Sequence, residues 1–115
     1  MKLAVVGSRG YDDYEGLNKV LSTLMTHHNI SLLISGGAKG ADSLAERFAE
    51  ENGIKTKIII PDWAKLGKKA GPMRNSDIVK RADLVVAFWD GESKGTLDTI
   101  KKTKRANKDI IVIGF

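Results

Sequence analysis

The sequence predicts a three-layer α/β fold: a parallel five-stranded sheet with helices on both faces. Five short apolar runs, Lys2 to Val6, Ser31 to Ser35, Lys57 to Ile60, Asp83 to Phe88 and Ile110 to Ile113, alternate with four segments of helical periodicity. A run that is apolar without alternation suits a strand covered on both faces, as in parallel sheets. The helical segments supply the crossovers that parallel neighbours need.

The first strand ends in Gly7-Ser8-Arg9-Gly10. Asp12, with Glu15 three residues on, resembles a capping box, and Leu17, Val20, Leu21, Leu24 and Met25 then recur at helical spacing as far as about His28. After the second strand, Ala41, Leu44, Ala45, Phe48 and Ala49 form an apolar stripe that Asn52-Gly53 terminates. Pro61 closes the third strand, and the segment from Asp62 to about Gly71 reads as a loop. Pro72 suits the first turn of a third helix, with Ile78, Val79 and Ala82 facing the core. The fourth strand leads through the loop Trp89 to Lys94 into a last helix, opened by Gly95-Thr96 and running to about Ala106.

A chain of 115 residues is expected to form one domain, burying roughly two-thirds of the surface its unfolded form exposes. Cysteine is absent, so disulfides and thiolate metal sites are excluded, and no metal centre is expected. The first apolar run is too short for a secretion signal, and nowhere do eighteen apolar residues follow one another; the expected location is the cytoplasm, with no membrane partner. Residues 1–64 carry 7 basic and 8 acidic side chains, residues 65–115 carry 12 and 6. That asymmetry points to an anionic partner near the second half, a nucleotide or a nucleic acid strand. The competing reading places Lys101, Lys102, Lys104, Arg105 and Lys108 largely on a solvated helix face and just beyond it.

The most informative stretch is Ser35-Gly36-Gly37-Ala38-Lys39-Gly40-Ala41-Asp42. A strand that feeds a glycine-rich turn opening into a helix leaves backbone N–H groups and the positive end of a helix dipole aimed at one spot, which suits phosphate. The pattern is not a P-loop, because Gly40 is followed by Ala41-Asp42 rather than Lys-Ser/Thr. It is not a dinucleotide fingerprint either, since no G-x-G-x-x-G follows the first strand and Ser35 stands where an acidic residue would end the second. Loops following parallel strands emerge on one edge, so Gly7 to Gly10, Gly36 to Asp42, Asp62 to Asn75 and Trp89 to Thr96 are expected to converge.

Gly7-Ser8-Arg9, the Ser35 to Asp42 stretch, Pro61-Asp62-Trp63, Ala70-Gly71-Pro72-Met73-Arg74-Asn75 and Gly95-Thr96-x-Asp98 together resemble the SLOG superfamily, most closely its small YspA-like branch of bacteria and phages. The resemblance covers essentially the whole chain. It implies a Rossmann-like nucleotide-binding fold; relatives include the DprA proteins, which bind single-stranded DNA, and the LONELY GUY phosphoribohydrolases, which cleave a base from a nucleoside monophosphate.

In this reading Gly36, Gly37, Ala38 and Gly40 present the phosphate cradle, with Lys39 adding a mobile charge, and Gly95 and Thr96 act similarly at the last helix. Gly7, Ser8 and Arg9 form the neighbouring loop, where Arg9 either grips phosphate or pairs on the surface. Arg74 supports a bound anion; Asn75 reads a ribose or base edge, or caps its helix. Asp62 is a candidate ligand contact, and Trp63 beside it and Trp89 each stack on a base or pack structurally. Asp42 accepts ribose hydroxyls or steadies its helix start. Asp90 and Glu92 are polar contacts or turn residues, and His27 and His28 lie far from that edge.

Catalysis is weighed as the alternative. The phosphoribohydrolases carry a glutamate three residues after the threonine of their Gly-Thr motif, a position held here by Thr99. Asp98 is one residue earlier, turned by about 100° on a helix, and Asp90 to Lys94 replace the proline and glycines of that motif. The leading expectation is therefore a non-catalytic binder of a nucleotide or nucleotide-derived phosphorylated small molecule, acting as sensor, carrier or sequestering protein, with no further cofactor required. The second is a nucleotide N-glycosidase or phosphohydrolase using Asp98, Asp42 or Glu92; the third is a binder of single-stranded nucleic acid. A homodimer or higher homo-oligomer stays open.

Overall fold

The computed structural model describes residues 1–115. Its elements run β1 (Lys2–Gly7), α1 (Tyr14–His27), β2 (Leu32–Ser35), α2 (Ala41–Glu51), β3 (Thr56–Ile58), α3 (Trp63–Leu66), a 3₁₀ turn (Gly67–Lys69), α4 (Ala70–Arg81), β4 (Leu84–Trp89), α5 (Lys94–Arg105) and β5 (Asp109–Gly114). The sheet order is β3-β2-β1-β4-β5 and every pairing is parallel, with Ala4 opposite Ile34 on one side and Val5 opposite Val86 on the other. The α/β fold read from the sequence is the fold observed.

Because side chains alternate across a strand, the central strands feed two cores. Leu3 and Val5 of β1, with Leu84, Val86 and Phe88 of β4, pack under Leu17 and Leu21 of α1 and Ala41, Ala45, Phe48 and Ala49 of α2. Ala4, Val6, Val85 and Ala87 face the opposite way, toward Ile78 and Ala82 at the end of α4 and Ile100 of α5. The apolar stripes of α1 and α2 therefore cover one face, and α4 and α5 the other.

Four local features differ from expectation. The segment after β3 is not a loop: Asp62 accepts a hydrogen bond from the Lys65 N–H, starting a single helical turn that Gly67 ends, and α4 begins at Ala70 instead of Pro72. At α1 the cap is Asp13, whose carboxylate accepts the Gly16 N–H, not Asp12; Tyr11, just before, is buried against Phe88 with ring centroids 4.6 Å apart. The third strand is an edge strand, shorter than its apolar run, and only Ile59 packs on the core while Ile58 and Ile60 remain exposed. Lys108 is also no bystander of the basic face. Its ammonium donates to the carbonyls of Val79, Lys80 and Ala82 and closes the C-terminal end of α4, where a cation suits the helix dipole. No helix is long and apolar enough to cross a membrane.

Candidate functional site

The strand order reverses direction between β1 and β4, and the loops following both strands open there into a cleft of about 630 Å³. This is the place where open parallel sheets bind ligands. Gly7, Ser8, Arg9 and Gly10 line it after β1, and Gly36, Ala38 and Asp42 after β2. Trp63, Gly71, Arg74 and Asn75 come from α3 and α4, and Asp90, Ser93, Lys94, Gly95, Thr96, Asp98 and Thr99 from β4 into α5.

The glycine turn after β2 is partly closed by the chain itself: three of its amides are taken, while those of Lys39, Gly40, Ala41 and Asp42 donate to no protein acceptor. The N–H groups of Gly36 and Ala38 both donate to Asp42 Oδ2, each at 3.1 Å, and the Gly37 N–H donates to the Ser35 hydroxyl at 3.1 Å. Ser35 is held in turn by donating to Glu46. Gly37 lies outside the cleft lining, beside Ile58, and Lys39 and Gly40 are outside it as well. Gly40 serves packing: at φ +80°, a Cβ there would stand 2.5 Å from the Ser8 carbonyl oxygen. The anion held by this turn is the chain's own carboxylate.

The turn after β4 is organised differently. Asp90 accepts the N–H groups of Glu92 and Ser93, and those two bonds, ahead of a smaller desolvation effect, keep its carboxyl below the usual value. Ser93 caps α5 by accepting the Thr96 N–H. The Lys94 and Gly95 N–H groups donate to no protein acceptor, and neither do those of Arg9 and Gly10 across the cleft. A Cβ added to Gly95 would meet nothing within 4 Å. Ser8 ties the two loops together, since its buried hydroxyl accepts the Asp90 N–H.

A chain of polar side chains crosses the cleft floor. Arg74 donates from Nη1 to the Gly36 carbonyl at 2.6 Å and from Nε to Asn75 Oδ1 at 2.9 Å. Asn75 donates to Asp98 Oδ2 at 3.0 Å and to the Gly95 carbonyl, so it bridges α4 to α5 rather than capping α4. Asp98 also receives Lys102 at 2.8 Å. Burial works to raise the Asp98 pKa, but the hydrogen bonds from Lys102 and Asn75 and the charges of Lys102 and Arg105 outweigh it, holding the carboxyl ionised below its usual value. Burial lowers the Arg74 pKa, with Asp42 opposing and Arg9 adding to the fall. Asp42 goes the other way: burial pushes it up to about 6, against its bonds from Ala38 and Gly36 and the nearby Arg74 charge.

Of the remaining residues singled out in the sequence, Trp63 stands at the rim, 56% exposed, its indole lying against Gly71, where a Cβ would sit 3.2 Å from the ring. Asp62 caps α3 and Glu92 points outward; neither lines the cleft. Trp89 is a packing residue whose indole N–H donates to the Ser93 carbonyl. The cleft is also lined by Gly10, Gly71, Ser93 and Lys94, which belong to the loops expected to converge but are not singled out by the sequence as site residues. Ser93, three residues before Thr96, carried a readable capping signal; the others line the site through backbone position alone. No cluster of His, Cys, Asp or Glu could hold a metal ion.

Comparison with known proteins agrees with this architecture. Gene 61 protein of Mycobacterium phage D29 is 31% identical over 120 residues, covering 98% of this chain and 96% of that protein. The X-ray structure of DNA processing protein A (DprA) from Streptococcus pneumoniae superposes with a TM-score of 0.79 at 26% identity. That match covers 96% of this chain and 49% of the DprA chain, so the present chain spans about half the length of that relative. The family model described as the YspA, cpYpsA-related SLOG family matches residues 1–66. By the model match and the phage relative together, the chain belongs to the YspA, cpYpsA-related SLOG family, within the SLOG superfamily.

Proposed function

We propose that the chain binds a nucleotide or a nucleotide-derived phosphorylated small molecule in the cleft at the C-terminal edge of the sheet, as a sensor, carrier or sequestering protein. The observation that carries this reading is the pair of facing loops at the reversal of strand order, whose Arg9, Gly10, Lys94 and Gly95 N–H groups are unpaired and open on one cavity. Backbone donors at a helix start bind a phosphoryl group without any lysine being fixed in place. Arg9 and Arg74 add positive charge, and the exposed face of Trp63 offers a stacking surface for a base.

A second reading, hydrolysis of the N-glycosidic bond, draws support from Asp98. Its carboxylate is ionised, lines the same cleft and is fixed by Asn75 and Lys102, so it is placed to stabilise positive charge developing on a pentose. Its engagement by Lys102 offsets that charge, which keeps binding as the leading reading.

Thermal denaturation with nucleoside mono- and diphosphates, ADP-ribose and cyclic dinucleotides, followed by chromatography of the ligand, separates the two. Binding predicts a raised melting temperature and an unchanged ligand; released free base moves the assignment to hydrolysis. Oligonucleotides are expected to bind weakly and to dissociate as salt rises. Tight, salt-resistant binding would instead assign to this chain a DNA-directed role like that named for DNA processing protein A.

A further inference from the structure

Asp42 is satisfied on one side only. Its Oδ2 accepts both loop amides, whereas Oδ1 takes part in no hydrogen bond, although the residue is only 5% exposed. No buried side-chain oxygen in the protein lacks a partner, so Oδ1 is not sealed away; it opens on the cleft that Asp42 helps to line. No cation reaches ion-pair distance of it, the three ion pairs being Arg47–Glu51, Arg81–Asp77 and Lys102–Asp98. A carboxylate oxygen that no protein group engages and that opens on the cleft is free to accept a donor brought by a ligand.

The strand order fixes what lies on either side of this oxygen. Along the binding edge the loops follow the order β3, β2, β1, β4, so Trp63, Asp42, the Arg9–Gly10 amides and Gly95 succeed one another. Neighbouring strands are about 4.8 Å apart, which spreads these groups over the length of one small molecule. A nucleoside 5′-phosphate has its parts in the same succession: an aromatic base, a pentose bearing hydroxyl donors, a phosphoryl group. The indole suits the first and the unpaired amides suit the last. Asp42 stands between them.

We propose that Asp42 Oδ1 accepts a hydrogen bond from the 2′-hydroxyl of the bound nucleotide, so that the cleft selects ribonucleotides over their 2′-deoxy counterparts. This inference rests on the nucleotide reading given above. The raised pKa of Asp42 accords with it, because a group whose ionised form the fold disfavours gains most from a donor brought by a ligand.

Titration calorimetry with matched pairs, the 5′-monophosphates of adenosine, guanosine, cytidine and uridine against their 2′-deoxy forms, tests it. In each pair that binds, the ribonucleotide is expected to bind about tenfold or more tightly, the worth of one charge-assisted hydrogen bond in a desolvated site. Asp42→Asn keeps an oxygen for the Gly36 and Ala38 amides but replaces Oδ1 with an amide nitrogen that cannot accept from the hydroxyl, and is expected to reduce the ratio while the variant still unfolds cooperatively. Equal affinities within the pairs of the unaltered protein overturn the pentose assignment and leave the nucleotide site standing, as does a ratio that survives undiminished in Asp42→Asn. Failure of all eight nucleotides to bind overturns the pentose assignment, and failure of the diphosphates, ADP-ribose and cyclic dinucleotides as well overturns the nucleotide reading.

Discussion

Two glycine-containing turns leave this sheet on the same edge and enter helices, and side chains occupy a different set of amides in each. In the turn from Gly36 to Gly40, the Gly36, Gly37 and Ala38 amides are consumed by Asp42 and Ser35, and Gly40 presses on the neighbouring loop. In the turn from Gly91 to Gly95, the two side-chain caps, Asp90 and Ser93, satisfy Glu92, Ser93 and Thr96 and leave the Lys94 and Gly95 amides free. Glycine content is therefore a poor guide to where an anion binds. What separates the two turns is placement as well as occupancy: Lys94 and Gly95 line the cleft, whereas Lys39 and Gly40, whose amides are also free, do not.

The largest effect expected from this contrast is on folding, at Gly40. Its backbone lies at φ +80° and ψ −128°, a region that only glycine occupies without strain, and an added methyl would meet the Ser8 and Arg9 carbonyls at 2.5 and 2.6 Å. Gly40→Ala is expected to lower stability by about 3 kcal/mol or more, read as a fall in the urea midpoint with an unchanged slope. A loss below about 1 kcal/mol would mean that the first loop does not rest on the start of α2.

A smaller effect, with a distinctive pH signature, is expected at Asp42. Its folded pKa of about 6 lies above the ordinary 3.8, so between those values the folded chain holds a proton that the unfolded chain releases. The stability that this proton contributes is complete below about pH 4 and is lost as pH rises through 6. The charged groups acting on Asp42 are Arg74 from α4 and Glu46 from its own helix. Asp42→Asn removes the titration: it is expected to match the unaltered protein near pH 4 and to exceed it at pH 8, by about 3 kcal/mol at most. Urea unfolding from pH 4 to 8 reads the difference between the two proteins. A difference constant across that range would show that Asp42 ionises as freely as an exposed carboxylate.

The same contrast explains how much could be read in advance. The alternation of apolar runs and amphipathic stripes was sufficient for the α/β class, because Leu3 to Val6 and Ala41 to Ala49 obey periodicities set by the backbone itself. The convergence of four loops followed from the strands being parallel. The exact donors did not follow, since Asp42 captures amides four and six residues away only once the helix start has been set against β1 and its loop. Trp63 and Trp89 looked equivalent, each following a strand. One lies at the rim over Gly71 while the other is tied to Ser93, a distinction made by α3 and α4, whose short start carries little periodic signal. Asn75 is legible as polar and near a helix start, but its bridge to Asp98 and the Gly95 carbonyl spans 23 and 20 residues of sequence.

The smallest effect sharpens the comparison most, because its two readouts move in opposite directions. Gly95 occupies the first turn of α5, and a Cβ there meets no neighbour, so Gly95→Ala is expected to raise stability by up to about 1 kcal/mol through the lower chain entropy of the unfolded state. If the Lys94 and Gly95 amides are the phosphoryl donors, that same methyl stands where the ligand approaches, and the affinity for a nucleoside monophosphate is expected to fall several-fold as the melting temperature of the free protein rises. Gly37→Ala supplies the control from the other turn. With φ at +72° and its amide already held by Ser35, it is expected to lose stability and leave affinity unchanged. Equal losses of affinity at the two glycines would return the anion site to the turn after β2, with the phosphoryl group displacing Asp42 from its amides.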